Sequence, residues 1–131
     1  MSAQSIYGLI ALSACARALS GESPDSAWRL EAAAAYPERP AARDKSCPRN
    51  AFRGLAEHGD LAGIPAARMP TRSINARYAL EAAEAVLGNP ALAQDRVELW
   101  QRTSGRGKRR NGQMDVMAAL FLAGRLSRPS I

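Results

Sequence analysis

The chain has 131 residues, a length that suits a single domain with one hydrophobic core. Ala supplies 27 of them, and because Ala is the best helix former but buries little surface, the composition favours closely packed helices. Two cysteines are too few for a secreted disulfide scaffold, and no stretch reaches the roughly 18 apolar residues of a transmembrane helix.

The net charge of +6 is concentrated in the last quarter of the chain. Residues 1–100 carry 11 Lys and Arg against 11 Asp and Glu, whereas residues 101–131 carry seven Lys and Arg against Asp115 alone. This asymmetry predicts an anionic partner. The alternative is a compositional bias of the source, because Arg supplies 16 of the 18 cations.

The first two predicted helices are marked by signals at their ends. Residues 3–20 are predicted to form the first helix, which ends at Gly21. Ser23-Pro24 then supplies an N-cap and a first-turn proline for a second, Ala-rich helix that runs to Ala35.

Prolines and a glycine delimit the third predicted helix. A polar loop is predicted over residues 37–46, and Cys47-Pro48 begins the helix that follows it. That helix ends at Gly59, and the prolines within residues 65–72 predict another loop.

The longest predicted helix runs from Ile74 to Leu87, with Ser73 as its N-cap and Gly88 after its end. Its apolar residues recur at helical spacing and form a broad stripe, as expected for a helix that packs on a core.

The segment after this helix contains a short turn and a short helix. Asn89-Pro90 predicts the turn. Asp95 and Glu98 have the spacing of a capping box, which predicts a helix that carries Trp100. Residues 104–107 contain two glycines and are predicted to interrupt the helical pattern.

Asn111 is predicted to cap the last helix, which runs to about Leu122–Arg125 and is stopped by Gly124. Nowhere do apolar and polar residues alternate between turns in the manner of a strand. The sequence therefore predicts an all-α fold, a single compact domain of five to six helices that spans residues 1–131.

The stretch from Lys108 to Val116 joins a basic run directly to the start of a helix. Backbone N–H groups at a helix start are free to bond an anion, and the helix dipole favours negative charge there. The side chains of Asn111 and Gln113 could reach base edges or sugar oxygens. We therefore predict that the chain binds DNA or RNA through the residues Arg106, Lys108, Arg109, Arg110, Asn111 and Gln113.

A second interpretation assigns these residues structural roles only. Asn111 would cap the helix, Gln113 and Asp115 would hold the preceding loop, and the arginines would be solvated. The alternative function is then a protein-protein interaction or oligomerisation module that does not bind nucleic acid. Its apolar surface would come from four large side chains, although we expect all four to lie in the core: Trp28, Trp100, Met114 and Met117.

The sequence does not contain a convincing catalytic arrangement. Cys47 and His58 are the one Cys/His pair close in sequence, but eleven residues of helix separate them by about 16 Å. Glu81 and Glu84 are expected to be solvated on a helix face, and residues 105–108 lack the spacing and the preceding strand of a phosphate-binding loop. We therefore favour a non-enzymatic domain with no catalytic residue, no cofactor and no metal site.

The cysteines favour a cytoplasmic protein with two reduced thiols, and the lack of a long apolar stretch predicts no membrane partner. Leu12–Cys15 resembles a lipoprotein processing motif, but no Lys or Arg precedes it, as a signal peptide would require. We therefore expect this segment to be part of the first helix.

Most of the chain, about residues 22–126, resembles a small family of uncharacterised bacterial helical proteins. The resemblance implies a helical domain of unknown function and transfers no activity. The chain differs from the expected pattern at Phe121, where Trp is expected, and around Met69-Pro70, where Tyr is expected. The residues that carry the resemblance are Cys47-Pro48-Arg49, Ala51-Phe52, Gly54-Leu55, Gly63-Ile64, Thr71-Arg72-Ser73, Asn75, Tyr78-Ala79-Leu80, Leu99-Trp100, Lys108 and Asn111 to Val116.

Overall fold

Helices make up the fold in a computed structural model that describes residues 5–127. The α-helices within that range are α1 (Ile6–Leu19), α2 (Pro24–Ala35), α3 (Pro40–Arg43), α4 (Ser46–Glu57), α5 (Ile74–Gly88), α6 (Arg96–Gln101) and α7 (Gln113–Leu122). A 3₁₀-helix, Pro90–Gln94, separates α5 from α6. Because α3 is a single turn, six longer helices form the domain, and the predicted all-α fold is confirmed.

Three of the helix caps predicted from the sequence are present. The side chain of Ser23 accepts a hydrogen bond from Ser26 N, and the side chain of Ser73 accepts one from Asn75 N. Asp95 accepts a hydrogen bond from the backbone N–H of the third residue after it. Each cap satisfies an N–H group that the first turn of a helix leaves without an intrahelical partner.

Two loop predictions need correction. The polar loop predicted over residues 37–46 contains α3, which begins at Pro40 because the fixed φ of proline suits the first turn of a helix. The short turn predicted at Asn89-Pro90 is likewise the start of the 3₁₀-helix.

The core lies around α4, which packs against α2, α5 and α7. Its Phe52 is fully buried, and the ring centroid lies 5.5 Å from that of Trp28 on α2. Met114 and Met117 of α7 are also fully buried, and Trp100 is 4% exposed. The prediction that both tryptophans and both methionines belong to the core is therefore confirmed.

Helices α1, α4 and α7 run in the same direction, as the contacts at their two ends show. At one end, a Cβ placed on Gly112, just before α7, would lie 3.2 Å from Tyr7 Cδ2 and 3.4 Å from Pro48 Cβ. Tyr7 and Pro48 belong to the first turns of α1 and α4. The three helices therefore begin at one end of the molecule, which we call the N-terminal end.

The opposite end holds the last turns of the same three helices. Leu61 and Leu126, which follow α4 and α7, form an isolated antiparallel bridge. Leu19, the last residue of α1, contacts this region, since a Cβ on Gly63 would lie 2.8 Å from Leu19 Cδ2. No helix within residues 5–127 is both long and apolar enough to cross a membrane.

A glycine permits the close approach of α4 and α5. A Cβ placed on Gly54 of α4 would lie 2.5 Å from Ala76 Cβ and 2.6 Å from Ala76 Cα. Such distances fall well inside van der Waals contact, and a backbone atom cannot move aside as a flexible side chain can. The two helices can keep this separation only with glycine at position 54.

We predict that Gly54→Ala lowers the free energy of unfolding by about 1–3 kcal/mol, because the added methyl group overpacks the helix crossing. Urea denaturation followed by circular dichroism measures this change. Gly88→Ala is the matched control, because no atom lies within 4 Å of a Cβ at that position. Equal stability of the two variants would contradict the close packing at Gly54.

Candidate functional site

The basic loop, residues 102–112, folds against the indole ring of Trp100. A Cβ on Gly105 would lie 2.5 Å from Trp100 Cη2, so the loop backbone rests directly on the ring. Trp100 Nε1 donates a hydrogen bond to the carbonyl oxygen of Lys108 at 3.0 Å. Thr103 Oγ1 donates to Trp100 O at 2.8 Å and accepts from Gly105 N at 3.1 Å. The loop therefore has a defined conformation.

Helix α5 holds the same loop at two further positions. The backbone N and the Oγ of Ser104 both donate to Glu81 Oε1, at 3.0 and 2.7 Å. Lys108 Nζ donates to the hydroxyl oxygen of Tyr78 at 3.1 Å. The Tyr78 ring in turn meets the Trp100 ring edge-to-face, with centroids 5.1 Å apart. Lys108 is thus partly engaged in holding the loop.

Three more cations of the loop point into solvent, whereas Arg102 pairs with Glu98 at 3.0 Å. Arg106, Arg109 and Arg110 are exposed, and within residues 5–127 none of them forms an ion pair. Asp115 is the one carboxylate of the last quarter, and it pairs with Arg96 at 3.1 Å. No neighbouring acid therefore neutralises the three arginines in the described part of the chain.

Gln113 lies beneath the loop and not on its surface. Its side chain is 2% exposed. Its Oε1 accepts a hydrogen bond from Asn111 N at 2.6 Å, and its Nε2 donates to Asn75 Oδ1 at 3.0 Å. Both ends of the amide are therefore used to join the loop and α7 to the start of α5.

The prediction that Asn111 caps the last helix is wrong. Gly112 is the N-cap of α7, with φ 92°, and no side chain bonds the free N–H groups there. Glycine is favoured at this position because its φ is left-handed and because Tyr7 and Pro48 lie close by. The side chain of Asn111 instead donates through Nδ2 to Cys47 Sγ at 3.8 Å.

The structure thus brings the predicted site residues together in two layers. Arg106, Lys108, Arg109 and Arg110 are exposed on the loop, Asn111 is half-buried at its end, and Gln113 is buried below. Tyr7 and Lys45 border the same surface, although no sequence motif marks either residue. Lys45 Nζ lies 5.8 Å from the centroid of the Tyr7 ring. The loop follows Lys45 by some sixty positions and Tyr7 by about a hundred, so no local sequence signal connects either residue to it.

The cysteine and histidine side chains, which could in principle react, occupy structural positions. Cys15 is fully buried within α1, and burial raises the pKa of its thiol above the ordinary value. His58 ends α4, and its Nε2 lies 2.8 Å from Thr71 O. Both cysteines are free thiols. Among residues 5–127, no three His, Cys, Asp or Glu side chains are grouped so that they could hold a metal ion.

A groove of about 320 Å³ lies beside α5, and its lining includes Glu81, which also binds Ser104 of the basic loop. Leu80 contributes to its lining, and its charged groups are of both signs: Arg77 lies 3.7 Å from Glu81, and Arg72 and Glu84 also line it. Because these charges offset one another, the groove does not select an ionic ligand of either sign.

We predict that Gln113→Leu lowers the free energy of unfolding by about 1–3 kcal/mol, because it leaves Asn75 Oδ1 and Asn111 N without their partner in a buried setting. Thermal or urea denaturation measures the loss. Gln101→Leu, at an exposed position of α6, provides the control and should change stability by less than about 0.5 kcal/mol. A Gln113 variant as stable as this control would show that the buried amide does not hold the loop.

Comparison with known proteins places the chain in a family. A family model described as "Family of unknown function (DUF6979)" matches residues 4–127. No curated protein and no solved structure matches the chain. The expected membership of an uncharacterised family is confirmed, because the match extends over nearly the whole sequence. The chain belongs to the DUF6979 family of unknown function.

Proposed function

We propose that this domain binds nucleic acid, DNA or RNA, through the basic loop at its N-terminal end. The observation that supports this proposal most strongly is the meeting of that loop with the first turns of three parallel helices. A helix N-terminus carries free N–H groups and a partial positive charge of about half an elementary charge. The loop arginines and the helix ends therefore add charge of the same sign to one surface.

The N-caps of these helices also favour anion binding at this surface. The N-caps of α4 and α7 are Lys45 and Gly112, and neither provides a side-chain hydrogen bond to the first turn. Neither α1 nor α4 has an acidic residue in its first turn, and Asp115 of α7 is paired with Arg96. The first turns of α1 and α4 thus carry no carboxylate of their own, Asp44 before α4 is paired with Arg43, and Asp115 of α7 is engaged with an arginine.

The exposed side chains suit phosphate oxygens. Arg106, Arg109 and Arg110 each present a planar guanidinium group, which can bind two oxygens of one phosphate. The loop is already ordered on Trp100 and α5, so less conformational entropy is lost when it binds than for a disordered basic tail. In this proposal Asn111 contacts phosphate or sugar, whereas Lys108 and Gln113 position the loop.

We predict that replacing Arg106, Arg109 and Arg110 together with Ala weakens binding to mixed-sequence duplex DNA and flattens its salt dependence. Each lost phosphate contact removes about 0.9 from the slope of log affinity against log salt, so the slope should fall in magnitude by about two to three. Fluorescence anisotropy across a salt series measures it. Stability should change little, because exposed charges contribute little to folding.

A matched control removes the same charge from segments outside the basic loop. Arg68, Arg72 and Arg125 are exposed and belong to the segments that follow α4 and α7. Their replacement with Ala should leave the slope near that of the parent chain. Equal losses in both triple variants would assign the binding to net charge alone, and a parent chain that binds neither DNA nor single-stranded RNA would refute the proposed function.

A second candidate function, protein interaction or self-association, rests on an apolar groove between α1 and α2. The groove has a volume of about 270 Å³ and is lined by Ile6, Leu9, Ala34 and Ala35 among others. Leu9 is 50% exposed and Ile6 47% exposed. Two exposed large apolar side chains beside a groove are typical of a helix-binding surface.

We predict for this second function that Leu9→Glu converts any dimer of the chain to monomer, because a charge would then enter the apolar contact. Analytical ultracentrifugation measures the mass. Met69→Glu is the control, because Met69 is 89% exposed in a loop. A parent chain that is monomeric at all concentrations would exclude self-association through this groove.

We also propose that the domain acts in the cytoplasm of a bacterial cell. The two free cysteines support this location, because the cytosol keeps thiols reduced.

A further inference from the structure

Tyr7 connects the basic loop to a second basic segment of the chain. Its ring contacts Gly112, which immediately follows the loop residue Asn111. Its hydroxyl group donates to the carbonyl oxygen of Ala42 at 2.9 Å, which ties α1 to the segment between α2 and α4. A residue of the first helix therefore holds together two segments that are remote in sequence.

Two cations of that second segment lie near Tyr7. Lys45 Nζ is 5.8 Å from the ring centroid. The carbonyl oxygen of Arg39 accepts a hydrogen bond at 3.1 Å from Ala42 N, and Ala42 O in turn accepts the bond from the Tyr7 hydroxyl. Burial raises the pKa of that hydroxyl, and the charge of Arg39 acts against this rise. Arg39 is exposed and Lys45 is half-buried, and within residues 5–127 neither forms an ion pair.

The two basic segments also meet directly. Asn111 Nδ2 lies 3.8 Å from Cys47 Sγ. Arg110 immediately precedes Asn111, and Lys45 lies two residues before Cys47. Arg110 and Lys45 therefore flank the contact between Asn111 and Cys47. Asp44 lies between Arg39 and Lys45 in the second segment. It bonds Arg43 at 3.1 Å, and this arginine offsets its charge.

We propose that the nucleic-acid surface is composite: it continues from the basic loop across Gly112 and Tyr7 to Lys45 and Arg39, which contact further phosphates of the same backbone. This inference rests on the proposed function and extends it to a segment that the sequence does not connect with the loop. The ammonium group of Lys45 lies over the Tyr7 ring and forms no ion pair within residues 5–127, so it can contact a phosphate.

The test compares salt dependences on mixed-sequence duplex DNA. Replacing Arg39 and Lys45 together with Ala should reduce the magnitude of the slope by about one to two, and combining this pair with the loop triple should give the sum of the two losses. The matched control, Arg68 and Arg125 to Ala, removes equal charge from the segments that follow α4 and α7 and should keep the parent slope. Circular dichroism and urea denaturation should show that all variants remain folded.

The outcomes separate this inference from the proposed function. If the Arg39 and Lys45 pair keeps the parent slope while the loop triple loses two to three, the composite surface is refuted and the proposed function stands. If the control pair loses as much slope as the Arg39 and Lys45 pair, the effect is one of net charge and the composite surface is also refuted. If the parent chain binds neither duplex DNA nor single-stranded RNA, both fail. A conservative pair, Arg39→Lys with Lys45→Arg, should retain the parent slope, and its loss would likewise overturn the inference.

Discussion

The contact of Gly112 with Tyr7 and Pro48 is the constraint on which the candidate site depends. The backbone there has φ 92°, and the first turns of α1 and α4 lie against it. A side chain at this position would be strained by the backbone and crowded by both neighbours. Because Gly112 is also the N-cap of α7, this one contact sets the starts of three helices side by side.

The opposite end of the molecule completes this arrangement. Leu61 and Leu126 bridge the segments after α4 and α7, and Ala62 N donates to Arg125 O at 2.9 Å. With both ends joined, α4 and α7 cannot reverse their relative direction. Their dipoles therefore add, and the positive ends coincide with the loop that carries the surplus charge.

The basic loop is ordered by neighbouring residues that carry none of its positive charge. Trp100 supports the loop backbone, Glu81 binds Ser104, and Tyr78 binds the ammonium group of Lys108. The loop thus presents three free arginines on a preformed backbone. The polar amide of Gln113 adds a buried link to α5, so a residue that resembled a contact group in the sequence acts as a support.

Local signals in the sequence determined the all-α fold, the caps at Ser23, Ser73 and Asp95, and the position of the basic stretch, because these depend on residues only a few positions apart. Tertiary structure alone decided that Gly112 and not Asn111 caps α7, since that choice follows from the contacts of Tyr7 and Pro48. It also decided which loop cations are free and which are engaged. The parallel direction of α1, α4 and α7, and the contact of Cys47 with Asn111, arise from packing between segments far apart in the chain. Such pairings leave no periodic pattern in the sequence to reveal them.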